Sequence, residues 1–372
     1  MTLYRLGEIA PIIEGTVEKN DKYWLLNLDM VERETGRIIG YNFVSENEIG
    51  NSTVPFDTGN VLYSKLRPYL NKVVLPQKAG YATSEMVPLR PDTSIITREY
   101  LTYLLRSPMF VSFINSKTSG AKMPRAKLAE LKKFEIKCPS IVEQKIITDR
   151  FDELLEAIGV CESIIDKLNM LCKSRFVEMF VGKNYPLVSV DELSLGKGEY
   201  GAQSASIAYD ASRPRYVRIT DINDDGTLNN DFVSSSNIDD DKQYKLSYGD
   251  FLFARMGATV GKTYAYKEGN QIYAGYLIRY KLNLDKITPE YMYAYTRLGE
   301  YWNWVKLNQS GAAQPGINAK KYGSLRIPVP PLSEQKAFQT FVAQVDKSKS
   351  AVLDILEKLK TLQKSLMQEY FC

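Results

Sequence analysis

The chain has 372 residues, 44% of them hydrophobic and 25% charged, with a formal net charge of +4, which is enough for two or three domains with real cores. It contains no histidine, and its four cysteines, Cys138, Cys161, Cys172 and Cys372, show no CxxC spacing. Those facts exclude Cys/His zinc sites, Ser-His-Asp and Cys-His nucleophile systems, and imidazole acid–base chemistry. No window approaches eighteen uninterrupted apolar residues, and "MTLYRLGEIAPIIEG" lacks the regions of a signal peptide, so no membrane partner, a cytosolic location and reduced structural thiols are expected.

In chain order, the first 59 residues carry 5 basic and 10 acidic side chains, whereas 60–137 carry 14 and 5. Inside that basic portion, "GNVLYSKLRPYLNK" from Gly59 reads as an apolar strand followed by a cationic loop. "REYLTYLLRSPMFVSFI" has helical periodicity, "SGAKMPRAK" from Ser119 reads as a second basic loop, and "KFEIKCP" reads as a strand.

"CPSIVEQK", Cys138 to Lys145, then opens a long helix. Ser140-x-x-Glu143 fits a capping box, and Pro139 stops the preceding strand without harming the helix. Ile147, Leu154, Ala157, Cys161, Ile164, Leu168 and Leu171 form a heptad seam, broken by Arg150 and Arg175.

From residue 183 the same order returns. Residues 183–241 carry 5 basic and 11 acidic side chains, and 242–329 carry 13 and 5. "GDFLFARMGATVGK" from Gly249 matches the Gly59 stretch at an offset of 190. "SGAAQPGIN" at Ser310 matches Ser119 at 191, and that register runs without a gap to Phe180 over Phe371, with 17 identities in 62 positions. In "PEYMYAYTRLGEYWNWV", Tyr291, Tyr295, Trp302 and Val305 are expected on the buried face of a helix. "VPPLSEQK" opens the second long helix, where Phe338, Phe341, Val345, Ser348, Val352, Ile355, Leu359, Leu362 and Leu366 give the seam. A repeat of about 190 residues reads as a duplicated domain plus helix rather than a solenoid unit. A helix of about 40 residues spans about 60 Å, so paired antiparallel helices would hold two basic domains at a fixed separation, with an approximate twofold axis relating them.

Two catalytic strings fail on context. "GKGEYG", Gly196 to Gly201, satisfies G-x-G-x-x-G, but the polar "AQSASIAYDASRPRY" after it offers no helix N-terminus to a pyrophosphate. Pro91-Asp92 with Glu130-x-Lys132 is a string short enough to be commonplace.

Two domains, each followed by Pro-x-x-Glu-Gln-Lys and a heptad helix ending near "KSRFVEMF" or "KSLMQEYF", resemble the specificity subunit of type I restriction-modification systems, over essentially the whole chain. The resemblance implies an α+β fold with a pseudo-twofold internal repeat: mixed α/β target recognition domains at 1–138 and 183–329, a central spacer helix at 139–182, and a C-terminal helix at 330–372 pairing with it in an antiparallel, coiled-coil-like manner. It implies a non-catalytic subunit. Each domain would read one half of a bipartite target on double-stranded DNA, and the helices would set the spacing. Two modification subunits and the restriction subunits would be its partners, with S-adenosylmethionine, ATP and Mg on those partners and no cofactor on this chain. A coiled-coil scaffold without DNA specificity and a stand-alone DNA-modifying enzyme are the alternative readings.

The aligned basic loops supply the DNA-contact candidates. These are Lys65, Arg67 and Lys72 against Arg255 and Lys262, and Lys122, Arg125 and Lys127 against Gln314, Asn318, Lys320 and Lys321. Arginine can fork onto guanine, lysine mostly meets phosphate, and Asn or Gln pairs with adenine. Helix pairing is expected at Leu154, Ile164, Leu168, Leu171, Val345, Val352, Ile355, Leu359 and Leu362.

Overall fold

The computed structural model describes residues 3–120, 122–311 and 315–371. The chain divides into two compact units, residues 1–163 with 353–372, and residues 164–352.

In the first unit the strand Val61–Ser64 is buried along its whole length, as its unbroken run "VLYS" requires of a strand covered on both faces. It lies between Val73–Val74 and Met86–Leu89, antiparallel to both. A neighbouring sheet pairs Tyr23–Leu26 parallel to Gly80–Thr83, with Thr53–Phe56 antiparallel on the other side of 80–83. The helix Arg98–Arg106 starts at Thr97, whose hydroxyl accepts from Tyr100 N at 3.1 Å. It buries Leu101, Leu104 and Leu105 against Tyr63 and Phe110. Leu3–Arg5 pairs antiparallel with Glu135–Lys137, bringing the start of the unit beside the strand that leads into the long helix.

The second unit repeats this plan. Asp250–Ala254 is the buried strand, between Thr263–Ala265 and Leu277–Lys281. Arg215–Val217 runs parallel to Gln271–Tyr273, Thr288 caps the helix Pro289–Tyr295, and Leu187–Ser189 pairs with Arg326–Pro328. The duplication read from the sequence is thus a duplication of topology, within a mixed α+β architecture carrying two long helices. The tyrosine-rich segment is two helices, Pro289–Tyr295 and Gly299–Asn308. The break between them shifts the helical phase, so Tyr301 is buried and Trp302 is 36% exposed, while Tyr291, Tyr295 and Val305 are buried as expected.

The long helices are Ile141–Phe180 and Leu332–Phe371, 40 residues each. The first opens with the expected capping box, Ser140 N and Oγ both donating to Glu143 Oε2 at 2.9 and 2.8 Å. In the second, Glu334 accepts instead from the Tyr185 hydroxyl at 2.8 Å. Within each unit the two helices lie antiparallel. In the first, Phe151 packs on Phe371 and Glu162 meets Lys360 at 3.0 Å. In the second, Phe176 packs on Phe338 and Lys349 donates to Asn169 at 2.8 Å. The arginines that interrupt the first seam both find partners there, Arg150 on the Tyr370 hydroxyl and Arg175 over the Phe341 ring.

The seam itself needs correction. Leu154 and Val345 are buried, and Leu168, Val352 and Leu359 are partly so, but Ile164, Leu171, Ile355 and Leu362 are exposed. Their places are taken by the next residues along, Ile165, Cys172, Leu356 and Gln363. Either flank of a heptad's first position lies beside it on a helix of 3.6 residues per turn, and the neighbouring structure selects one of them. The apolar pattern pointed to the flank richer in leucine and isoleucine. No described helix is long and apolar enough to cross a membrane. Cys138 and Cys161 are buried free thiols, and burial pushes Cys138 up to about 11; Cys372 lies outside the described residues.

Candidate nucleic-acid interface

Two loops in each unit are bound into one surface. In the first unit the strand Val61–Ser64 ends in a tight turn, Pro68–Leu70, bracketed by Arg67 (φ 48°) and Asn71 (φ 50°), both left-handed. The second loop is a hairpin in which Thr118–Ser119 pairs with Arg125–Ala126, and Gly120 supplies φ 95° at its start. Main-chain bonds join the loops: Arg67 N donates to Pro124 O at 2.7 Å and Ala126 N to Lys65 O at 2.8 Å, around a bridge between Leu66 and Arg125.

The second unit reproduces each of these features. Gly257 (φ 70°) and Gly261 (φ 88°) bracket the turn, and Gly311 (φ 103°) stands where Gly120 does. Gly257 N donates to Pro315 O and Ile317 N to Arg255 O, both at 2.9 Å, around a bridge between Met256 and Gly316. Loops more than fifty residues apart in sequence therefore meet at the same place in both units.

The side chains of the candidates are held in different ways. Arg67, Lys122 and Lys127 in the first unit, and Lys320 and Lys321 in the second, are exposed; Lys65 is half-buried. Arg125 and Arg255 are held sideways. Arg125 forks onto Glu85, Nε and Nη2 reaching Oε1 at 2.9 and 2.8 Å, while Arg255 lies over the Tyr200 ring at 4.8 Å. Lys72 and Lys262 turn inward. The Lys72 ammonium donates to Leu28 O at 2.6 Å, and burial lowers its pKa against the opposing pull of Asp29. Lys262 reaches Ile222 O at 3.2 Å and Asp224 at 2.8 Å. Asn318 spends its Oδ1 capping the helix Ala319–Gly323, accepting from Lys321 N at 2.9 Å. Gln314 lies outside the described residues.

Sequence reasoning passed over the exposed Tyr69 and Tyr276, and Glu85, which orients Arg125. Glu85 and Tyr276 occupy one place, their carbonyls accepting from Lys65 N (2.9 Å) and Arg255 N (3.0 Å). The only signal for Tyr69 was its position after Pro68 inside the quoted loop; nothing local marked Glu85 or Tyr276. The catalytic strings resolve into structural parts. Gly198 sits under the Tyr280 ring and leads into a strand at Glu199–Tyr200, Asp92 is tied to Ser94 at 2.6 Å, and Glu130 pairs with Lys133 at 2.8 Å.

A duplicated domain, each copy presenting a cationic surface built from two tied loops and feeding a long helix, defines a two-module recognition protein. The model of the type I restriction modification DNA specificity domain matches residues 1–170 and 204–361, and the chain belongs to that family, as its resemblance implied. Its curated relatives include the specificity subunits of type I restriction enzymes EcoDI of Escherichia coli (26% identical over 159 residues, 41% of this chain and 35% of that protein) and StySPI of Salmonella potsdam (22% over 309 residues, 76% and 66%). That of EcoKI of Escherichia coli K12 is 24% identical over 323 residues, 76% of this chain and 66% of that protein. The matches thus span about a third of the first relative's length and just under two thirds of the other two. In fold, the chain is similar to the type I restriction-modification S subunit from M. genitalium (TM-score 0.60, 14% identity, 100% of this chain and 96% of that one). A chain from a structure describing assembly and conformational transition of the type I R-M system also has a TM-score of 0.60, at 18% identity, covering 100% and 97%.

Proposed function

We propose that this chain is the sequence-specificity subunit of a type I restriction-modification complex, a cytosolic double-stranded DNA-binding protein in which residues 1–138 and 183–329 each read one half of a bipartite target. The observation that carries this reading is the pair of tied loops, joined by matching main-chain bonds and different in side chains, Lys122, Arg125 and Lys127 against Asn318, Lys320 and Lys321. Exposed lysines at the rim supply sequence-independent attraction to phosphate, and the laterally held Arg125 and Arg255 are poised for base edges. The helical segments 139–182 and 330–372 set the number of unread base pairs and dock two modification subunits. The exposed Ile164, Leu171, Ile355 and Leu362 supply apolar area for that docking. Catalysis, S-adenosylmethionine, ATP and Mg belong to the modification and restriction subunits. Co-expression with the modification subunit is expected to produce an asymmetric bipartite methylation motif. Replacing 183–329 with another recognition domain should change one half of it only. DNA binding no stronger than a control protein's at moderate salt, with the modification subunit present, would instead mark a scaffold without DNA specificity.

A further inference from the structure

In the phrase Glu-Gln-Lys that opens both long helices, the glutamine is fully buried while the lysines are exposed. Gln144 Nε2 donates to Ile95 O at 2.7 Å and Pro139 O at 3.0 Å, and its Oε1 accepts from Thr97 N at 2.8 Å. Gln335 Nε2 donates to Lys286 O at 3.0 Å and Pro330 O at 2.9 Å, and its Oε1 accepts from Thr288 N at 2.9 Å. Every partner is displaced by the same 191 residues. Thr97 and Thr288 are in turn the N-caps of the helices Arg98–Arg106 and Pro289–Tyr295, which pack on the cores of their units.

Only a side chain that accepts once and donates twice at this reach satisfies all three groups, so glutamate, methionine and leucine fail. The partners are all main-chain atoms, which makes the contact indifferent to whether isoleucine or lysine stands at the first position. One amide thus ties three points: the segment before the packing helix, that helix's cap, and the proline two residues past the strand that precedes the long helix. Leverage gives the joint its importance. A tilt of about 3° at the first turn moves the far end of a ~60 Å helix by about 3 Å, close to one base-pair rise.

We propose that Gln144 and Gln335 are positioning residues that fix the angle at which each unit's body meets the first turn of its long helix, and so set how strictly the spacer between half-sites is measured. This rests on the bipartite DNA-specificity reading above. The test uses the full chain with its modification subunit, as Gln144→Leu and Gln335→Leu singly, with methylation mapped across a genome. The expected result keeps the bases of both half-sites and raises methylation at spacers one base pair longer or shorter at least tenfold over the parent. Altered half-site bases at an unchanged spacer, or a map identical to the parent's, overturns the proposal.

If a variant methylates nothing, amide exchange on the purified chain decides. Orphaned buried groups should speed exchange in 95–101 or 286–292 by roughly tenfold to a hundredfold, while the strands Val61–Ser64 and Asp250–Ala254 keep the parent's protection. Uniform loss of protection across the unit overturns the latch and leaves an ordinary core residue. A parent that yields no bipartite motif defeats the specificity reading itself, and the exchange measurement still decides whether the joint is local.

Discussion

The loop after the buried strand is written Arg67-Pro68-Tyr69-Leu70-Asn71 in one unit and Gly257-Ala258-Thr259-Val260-Gly261 in the other, over one backbone course. Both ends of each turn are left-handed, φ 48° and 50° in the first and 70° and 88° in the second. Glycine enters that region freely, whereas other residues lose on the order of 1–2 kcal/mol there. Asparagine tolerates it, and Asn71 recovers part of the cost by donating to Arg106 O at 2.9 Å. Arg67 has no such return: it is exposed, with no side-chain partner among the described residues. The shared element is the turn, and the units differ in what is mounted on it. An unpaired cation held in a conformation that favours glycine is the pattern expected where strain is retained for contact with something outside the chain.

The comparison breaks hardest at its far end. A Cβ at Gly261 would lie 2.7 Å from Val305 Cγ1 and 2.9 Å from the Trp302 ring. Gly261→Ala therefore combines left-handed strain with overpacking, and should lower the stability of the second unit by about 2–5 kcal/mol, read as a shift of its urea midpoint. Asn71→Gly, at the equivalent place, should cost no more than about 1 kcal/mol, the net of a lost side-chain hydrogen bond and relieved strain. Equal effects at the two sites would mean that the turns do not share a backbone in solution.

Next in size are the rim lysines. Lys122→Ala with Lys127→Ala should reduce the salt dependence of DNA binding by about two counterions and weaken affinity uniformly across sequences. Lys320→Ala with Lys321→Ala should do the same from the other unit. A slope unchanged by both pairs would remove these loops from the interface.

Much of this was legible beforehand, for a physical reason. A 190-residue duplication leaves its mark in every element at once, so Gly59 over Gly249 and Ser119 over Ser310 announced the repeated domain and the loops that would correspond. What stayed hidden depends on distant contacts. Lys72 and Lys262 look like loop cations, yet each is drawn in by a carbonyl about forty residues upstream, Leu28 and Ile222. The displaced seam at Ile165, Cys172, Leu356 and Gln363 depends on which flank of each helix is buried, and periodicity is the same for both. Arg67's left-handed backbone carries no glycine to announce it; only the aligned Gly257 does.

Those inward lysines give a sharper contrast with the rim. Lys72→Met removes one of the two donors to the Leu28 carbonyl, which keeps Val31 N at 3.3 Å, so the folding cost should be about 1 kcal/mol. It should leave the salt slope of DNA binding unchanged, because the ammonium is already committed to the protein. A slope that falls by about one would show that Lys72 turns outward to meet phosphate when DNA is present.

The smallest effect is also the most diagnostic. Arg67→Gly makes the first turn resemble the second, and relief of left-handed strain should raise the stability of the first unit by about 1 kcal/mol. If Arg67 forks onto a base, the same substitution should weaken binding to the specific target by about 1–3 kcal/mol and relax preference at a single position of one half-site. If it meets only phosphate, the loss is uniform across sequences and the salt slope falls by about one. Stability gained without any loss of binding would leave the strain at Arg67 unexplained by DNA, and the glycine and arginine versions of the loop would then be equivalent solutions to one turn.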